Sequence, residues 1–474
     1  MRSEILNIAA GRNVLIPPDV LDVILSDPEP KMFINNVLSS ITKGSMLIRK
    51  EDILRFLPSD GIVKEIAKPV APKNKRQYDI KIVPGTDVTG ESACEGKVDD
   101  FMRYFQSRYN MIRDMLKRKT GATISILSIT PQMAGRDVHL IGLVSDPSMT
   151  KNGHRLFTLE DETGTCKVLI MKDSPFINDV IVNDEVIGLA GSVAKDGKMI
   201  VASEVFRPGV TSDPWEDSDS VASVAFLSDI HIGSHTFLDS KWKSMVSWLK
   251  ENAKRTDLDY LIIPGDVVDG IGIFPGQQAE LTIDDIYKQY GALAECLKDI
   301  PDHIKMVLQP GNHDAVRPAE PQPALSEVFC KTFDSNVMLT ANPVSLNIEG
   351  RNILTYHGRS IDDWVAGVQR LTYEDPISVM KEMLERRHLA PMYGMKTALA
   401  PEKKDYMVIE KKPDIFVTGH VHGADSCEYN GVRLINASTW QDQTEYQKMH
   451  NFNPIPAVMP IVHLGTGVTS MKSF

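Results

Sequence analysis

The sequence predicts an α/β domain of mixed sheets flanked by helices, preceded by a small β-barrel and a small N-terminal helical unit. Three observations carry this expectation. After residue 220, short continuous apolar runs of the kind found in buried strands recur at 224–228, 260–264, 305–308, 353–356 and 415–418. Segments with helical periodicity separate the first three runs, so strand and helix alternate as in an open α/β sheet. Between residues 122 and 210 the pattern changes to short strands joined by turns.

Residues 1–65 read as the helical unit. Segments 19–25 and 32–41 carry Val20, Ile24 and Phe33, Val37, Ile41 at helical spacing, and a third short helix over 51–57 stops at Pro58. A solvated appendage and a protein-docking module both fit this unit. Residues 66–98 read as a linker, basic and proline-broken at Lys68-Pro69-Val70-Ala71-Pro72-Lys73-Asn74-Lys75-Arg76.

The segment 99–210 opens with a helix over 99–118, whose Phe101, Phe105, Tyr109, Ile112 and Leu116 form a packing stripe ended by Gly121. Strands are expected at 123–129, 138–144, 155–160, 165–170 and 184–193, with turns at Lys151-Asn152-Gly153 and Glu162-Thr163-Gly164. The run from Phe157 to Thr165 resembles a strand-turn-strand of OB-folds. Its acidic hairpin and scarcity of aromatics favour a structural or partner-binding barrel over one that stacks bases. A second linker covers 208–220, and the large domain runs over 221–474. Its helices are marked by Trp242, Val246, Leu249 and by Ile286, Tyr290, Leu293, Leu297, the latter with Thr282 and Asp285 as a capping box and Pro301 beyond its end.

The 474 residues carry a formal net charge of -11, which argues against a free-standing nucleic-acid binder; contact with DNA must be local or shared with a partner. Five scattered cysteines with no C-x-x-C pair indicate neither a disulfide framework nor a thiolate zinc site, as expected of a cytoplasmic chain. No signal peptide or membrane span is expected.

Each apolar run of the large domain leads into polar chemistry: Asp229-Ile230-His231, Gly265-Asp266-Val267-Val268-Asp269, Gly311-Asn312-His313-Asp314, His357-Gly358 and Gly419-His420-Val421-His422. Ligands in open α/β sheets gather beyond the carboxyl ends of strands, so the five segments should meet at one rim. Gly265, Gly311 and Gly419 are expected to let the chain turn sharply as it leaves the sheet. A lone Asp-x-His or Gly-Asp is ordinarily a turn carboxylate or a satisfied core histidine; five in order are not. The oxygen and nitrogen donors, rich in histidine, suit Mn, Fe, Zn or Ni better than Mg or Ca.

This ordered set resembles the calcineurin-like metallophosphoesterases, including the nuclease of the double-strand-break repair complex. The resemblance implies a first metal on Asp229, His231 and His422, a second on Asn312, His357 and His420, and Asp266 as the bridging carboxylate. It implies that His313 contacts the scissile phosphate and protonates the leaving oxygen, with Asp314 orienting it. Asp269 reads as a turn residue or a support behind the ligands. The remaining histidines read as surface or packing residues.

Outside these motifs the chain is similar to the small subunits of archaeal family D DNA polymerases. The similarity rests on Gly270-Ile271-Gly272-Ile273-Phe274-Pro275-Gly276-Gln277, on Asn312 through Pro323 with Arg317-Pro318, on Arg387-His388-Leu389-Ala390-Pro391-Met392-Tyr393-Gly394, and on Ser438-Thr439-Trp440-Gln441-Asp442-Gln443-Thr444-Glu445-Tyr446-Gln447. It implies a metal-dependent 3′→5′ exonuclease that proofreads, two divalent ions with manganese foremost, a large polymerising subunit as partner, and DNA and a sliding clamp reached through the complex. Arg317 is carried as a substrate contact. The barrel and the 440–446 region are expected to face or support the large subunit. Two competing readings are a stand-alone phosphodiesterase acting on nucleotides and a scaffold with a vestigial metal site; the complete ligand set speaks against the second.

Overall fold

The structure, a computed structural model, describes residues 78–449 and 452–474, the helix α1 (Pro30–Ser40) and isolated positions between residues 4 and 48. The chain divides into two compact units, Met1–Gln77 and Tyr78–Phe474. In the first, α1 contributes Phe33, Ile34, Val37 and Leu38 to an apolar cluster with Ile5, Val20, Leu21 and Ile24. That three-and-four spacing is what one buried helix face requires. The helix expected over 51–57 and the basic run at 68–76 lie outside the described residues.

The second unit begins with β1 (Ile80–Ile82), which pairs antiparallel with β11 (Val344–Ile348). Part of the expected linker is therefore the edge strand of a sheet. Then comes α2 (Val98–Thr120), with Ile112 and Leu116 packed against Ile141 and Val186 of the barrel. The barrel is closed, in the order β2-β3-β4-β6-β5, from β2 (Asp137–Met149), β3 (Arg155–Asp161), β4 (Gly164–Ile170), β5 (Val186–Val193) and β6 (Met199–Phe206). Closure comes from the 13-residue β2, which pairs with both β3 and β5 and carries a register shift between Ser145 and Ser148.

Two expectations change here. Residues 123–129 form no strand: the Ile126 and Leu127 amides are taken by the Asp161 and Thr163 side chains at 2.8 and 3.1 Å, leaving a short 3₁₀ turn. The fifth strand is instead β6, whose parallel pairing with β4 completes the barrel.

The large domain holds two six-stranded mixed sheets. One runs β10-β9-β8-β7-β16-β17, with β7 (Ser223–Phe226), β8 (Leu258–Pro264), β9 (Lys305–Gln309) and β10 (Val337–Leu339) parallel and β16 (Val458–His463) and β17 (Thr469–Ser473) antiparallel. The other runs β1-β11-β12-β13-β15-β14, with β12 (Arg351–Thr355), β13 (Ile415–Thr418) and β15 (Val432–Ala437) parallel and β14 (Ala424–Tyr429) antiparallel beside β15. Their inner faces share one core, in which Val224, Phe226, Ile262 and Val307 meet Leu346, Ile353, Val417 and Ile435. Each such burial contributes about 1.5–3 kcal/mol.

The outer face of the first sheet packs on α3 (Asp239–Asn252) and α4 (Ile286–Lys298) through Trp242, Leu249, Tyr290 and Leu293. Asp285 alone caps α4, accepting from the Lys288 amide at 2.9 Å; Thr282 of the expected capping box bonds to the Gly233 carbonyl instead. The outer face of the second sheet packs on α5 (Ile361–Gly367) and α6 (Pro376–Arg386). Arg108 of α2, fully buried, ties the parts together. It pairs with Asp405 at 2.8 Å and donates to the carbonyls of Asp184 and Pro391. Among the described residues no helix is long and apolar enough to cross a membrane.

Candidate metal centre

Five strands deliver the site, three from the first sheet (β7, β8, β9) and two from the second (β12, β13). Each is a short strand whose last residues are buried, followed after one or two residues by the candidate ligand, so that the ligands emerge together at the carboxyl edge of the sandwich. The backbone there is unusual. Asp229, His231, Asp266, His420 and His422 all adopt positive φ, between 49° and 69°. Non-glycine residues rarely do so, and such clusters mark functional positions.

The sharp turns thus fall largely on the candidate ligands themselves. Of the three glycines expected to make them, Gly265 has φ +95°, whereas Gly311 and Gly419 serve close approach. A Cβ at Gly311 would lie 2.3 Å from Asp266 Oδ1, and one at Gly419 1.9 Å from Ser228 Oγ.

All seven expected ligands converge. Asp229, His231 and His422 form one cluster: His231 Nε2 lies 3.2 Å from His422 Nε2, and Asp229 Oδ1 lies 3.9 Å from His231 Nε2 and 3.4 Å from His422 Nε2. Asp266, His357 and His420 form another, joined by Asn312, whose Oδ1 is 3.0 Å from His357 Nε2. Asp266 lies between the two, its Oδ2 3.3 Å from His357 Nε2 and 4.0 Å from His231 Nε2. Asp229, His231, Asp266, His357 and His422 are buried.

The electrostatics call for positive charge at the rim. Burial opposes protonation of His231 and His357. Yet Asp269 and Asp266 beside them outweigh it, and the two imidazoles are pushed up to about 9 and about 10. Asp229 Oδ1 is buried and accepts no hydrogen bond. A buried carboxylate oxygen without a hydrogen-bond partner is costly unless a cation reaches it. The donor set therefore fits a pair of divalent cations, with imidazole, carboxylate and amide oxygen but no thiolate.

Behind these groups is a layer of support. His231 Nδ1 is 3.0 Å from Asp269 Oδ1, and Asp269 also accepts from Gln277 Nε2 and Gln441 Nε2. His357 Nδ1 donates to the Pro264 carbonyl at 2.9 Å. His420 Nε2 lies 3.5 Å from Asp362 Oδ1.

His313 stands next to the clusters, its ring 4.8 Å from that of His231, and its amide donates to Asp266 Oδ1 at 2.8 Å. Its Nδ1 donates to the main-chain carbonyl of Asp269. Asp314 does not orient this ring, as the resemblance implied. Its carboxylate accepts from the amides of Gly311 and Val267 and from the Tyr290 hydroxyl, holding the loop backbone. Burial, with Asp266 nearby, raises that carboxyl to about 7.

Arg317 is not free to take a phosphate either. Its guanidinium pairs with Glu402 at 2.8 Å and donates to the Ala319 and Pro321 carbonyls and to Ser92. Of the 440–446 region expected at the large subunit, Trp440 is fully buried and Gln441 reaches Asp269; the Tyr446 side chain lies outside the described residues. Sequence reasoning singled out that run without recognising Gln441 or Gln447 as supports, because a glutamine has no signature until its partner is placed.

Residues 224–425, the segment that holds all seven candidate ligands, match the family model that describes the B subunits of DNA polymerases alpha and epsilon. The chain as a whole belongs to the DNA polymerase II small subunit family. It is 40% identical over 480 residues to the DNA polymerase II small subunit of Methanothermobacter thermautotrophicus, covering 98% of each chain. The Thermoplasma acidophilum protein of that name is 36% identical over 483 residues, covering 100% of this chain and 93% of that one. That of Methanocaldococcus jannaschii is 40% identical over 397 residues, covering 81% and 67%.

Proposed function

We propose that this chain is a metal-dependent 3′→5′ DNA exonuclease that proofreads for a replicative polymerase, and a scaffold for the large polymerising subunit. The observation that carries the reading is the convergence of Asp229, His231, Asp266, Asn312, His357, His420 and His422 from five segments on one rim. Asp266 between the clusters fits a shared carboxylate. Two divalent cations bound there, manganese foremost with iron, zinc or nickel as alternatives, supply charge neutralisation at the scissile phosphate and acidify a water.

The chain's own residues do the rest. The Asp229 and Asp266 carboxylates and the imidazoles fix the positions at which charge is balanced, and Asp269 holds His231 in one tautomer. Because a carbonyl can only accept, His313 carries its Nδ1 proton toward Asp269 and keeps Nε2 for the substrate. In its protonated form Nε2–H delivers a proton to the leaving sugar oxygen, whose alkoxide is otherwise too basic to depart.

The closed five-stranded barrel fits an OB-fold. In this reading the domain plan is a helical module over 1–65, helix and barrel over 99–210, and the phosphodiesterase domain over 221–474. The large subunit is the partner, and DNA and a sliding clamp are reached through the complex. The test is incubation of the purified chain, with and without its large subunit, with 3′-labelled DNA. Nucleotides should leave the 3′ end, stop in EDTA and resume with Mn²⁺ more than with Mg²⁺. Equal activity in EDTA removes the metal assignment, and strictly internal cleavage removes the exonuclease.

A further inference from the structure

The run from Ser438 to Gln447 wraps the floor of the first cation position. Ser438 itself has φ +66°. Thr439 Oγ1 and the Trp440 amide both donate to the Asp229 carbonyl, at 2.8 and 2.9 Å. Trp440 is fully buried, its ring 5.5 Å from that of Trp242 and 6.0 Å from that of Phe474, which anchors the run to the outer core of the first sheet. Gln441 Nε2 donates to Asp269 Oδ1 and to Ser234 Oγ, on the far side of His231.

The run ends in α7 (Glu445–Met449), where the buried Gln447 places Nε2 2.9 Å from His422 Nδ1. The amide cannot be turned freely, since its Oε1 accepts from the Thr444 amide at 3.1 Å while the Gln447 amide donates to Thr444 Oγ1. Among the described residues no comparable strap reaches the second position. His357 and His420 are held by the Pro264 carbonyl and by Asp362.

We infer that Gln447 and Gln441 are positioning residues for the first cation position, so that its affinity depends on the seating of the 438–449 strap while the second position does not. The inference rests on the two-cation reading. With Oε1 held by Thr444, Gln447 Nε2–H donates to His422 Nδ1, and the imidazole proton lies on Nε2, toward His231. A cation at His422 Nε2 requires that proton to move to Nδ1, where only an acceptor on residue 447 suits it. The glutamine amide meets this by turning its oxygen inward and giving up the Thr444 amide. A carboxylate at 447 accepts in either arrangement.

The experiment measures cation content and affinity of the full-length chain by titration calorimetry and elemental analysis with Mn²⁺. Three variants are compared, Gln447→Met (similar volume, no hydrogen bond), Gln447→Glu and Gln441→Met, each after thermal melting shows it folded. Wild type should hold two cations. Gln447→Met and Gln441→Met should bind one of them about 10–100-fold more weakly, the range for loss of a group supporting a ligand. Gln447→Glu should match or exceed wild type.

In an Asn312→Ala background, which weakens the second position, the Gln447→Met defect should persist; in Asp229→Asn it should vanish. Wild-type binding by Gln447→Met, or equal loss in Gln447→Met and Gln447→Glu, would overturn the inference and leave the metal centre standing. A wild-type chain that binds no second cation removes the two-cation reading, and the inference with it.

Discussion

Asp269 holds His313 and His231 by different atoms. Its main-chain carbonyl takes the His313 Nδ1 proton at 2.8 Å, and its carboxylate Oδ1 lies 3.0 Å from His231 Nδ1. One residue thereby orients both the proposed acid and a proposed ligand. The acid's ring orientation depends on backbone, so it survives substitutions of the carboxylate. Asp269 in turn is fixed by Gln277 and Gln441, which both donate to its carboxylate.

The His313→Ala variant removes the proposed acid and no proposed ligand. Cleavage of an unactivated phosphodiester should fall about 10²–10⁴-fold, the span of a general acid. A nitrophenyl phosphodiester, whose leaving group needs little protonation, should lose much less, and cation content should stay at the wild-type level. Loss of metal on this change would make His313 a ligand.

Asp266→Asn should behave otherwise, because Asp266 lies between both clusters. Cation content and turnover of both substrates should fall together, while co-purification with the large subunit persists. Retention of both cations in elemental analysis would show that Asp266 is no shared carboxylate.

The buried Arg108–Asp405 pair, both side chains fully enclosed, is a stability prediction independent of catalysis. Asp405→Ala leaves the Arg108 guanidinium without its countercharge, and breaking a buried pair from one side costs about 3–5 kcal/mol. Denaturant unfolding should show that loss. A change below about 1 kcal/mol, the scale of an exposed pair, would mean that the carbonyls of Asp184 and Pro391 suffice to hold Arg108.

The same cluster sets an acid limit. His388 Nε2 lies 2.8 Å from Asp405. Burial, reinforced by the Arg108 charge, depresses His388 to about 4 despite that carboxylate. An unfolded histidine titrates near 6.5, so between about pH 6.5 and 4 the unfolded chain binds the extra proton, and stability falls as the pH drops through that window. Asp405 is held well below an ordinary carboxyl, burial being outweighed by His388 and Arg108, so its contribution is lost at still lower pH. Unfolding measured from about pH 7 to 4 should show the decline, and His388→Gln should flatten it. An unchanged slope in that variant would place the sensitivity elsewhere.

The sequence by itself determined the strands of the site and the residues that follow them. Apolar runs such as Tyr260-Leu261-Ile262-Ile263 are buried on both faces wherever they occur, and Asp, Asn and His at their carboxyl ends have one place to go in an α/β sheet. Local pattern likewise placed α2, α3 and α4, because helical periodicity is a property of neighbours in the chain. It did not place β1, β11 and β14 of the second sheet: β1 is three half-exposed residues whose partner is distant in the chain, and β11–β12 and β14–β15 are hairpins turning at Glu349-Gly350 and Asn430-Gly431, where the turn and not an apolar run carries the signal. It misplaced a barrel strand at 123–129, where side chains of Asp161 and Thr163 capture the amides.

Tertiary structure alone decided that Arg317 is consumed by Glu402, that Asp314 holds backbone instead of the His313 ring, and that Gln441 and Gln447 stand behind Asp269 and His422. A hydrogen-bond partner 25 or 172 residues away leaves no local trace. Chemistry is written in residue type and local order, but orientation comes from contacts that exist only once the two sheets have closed on each other.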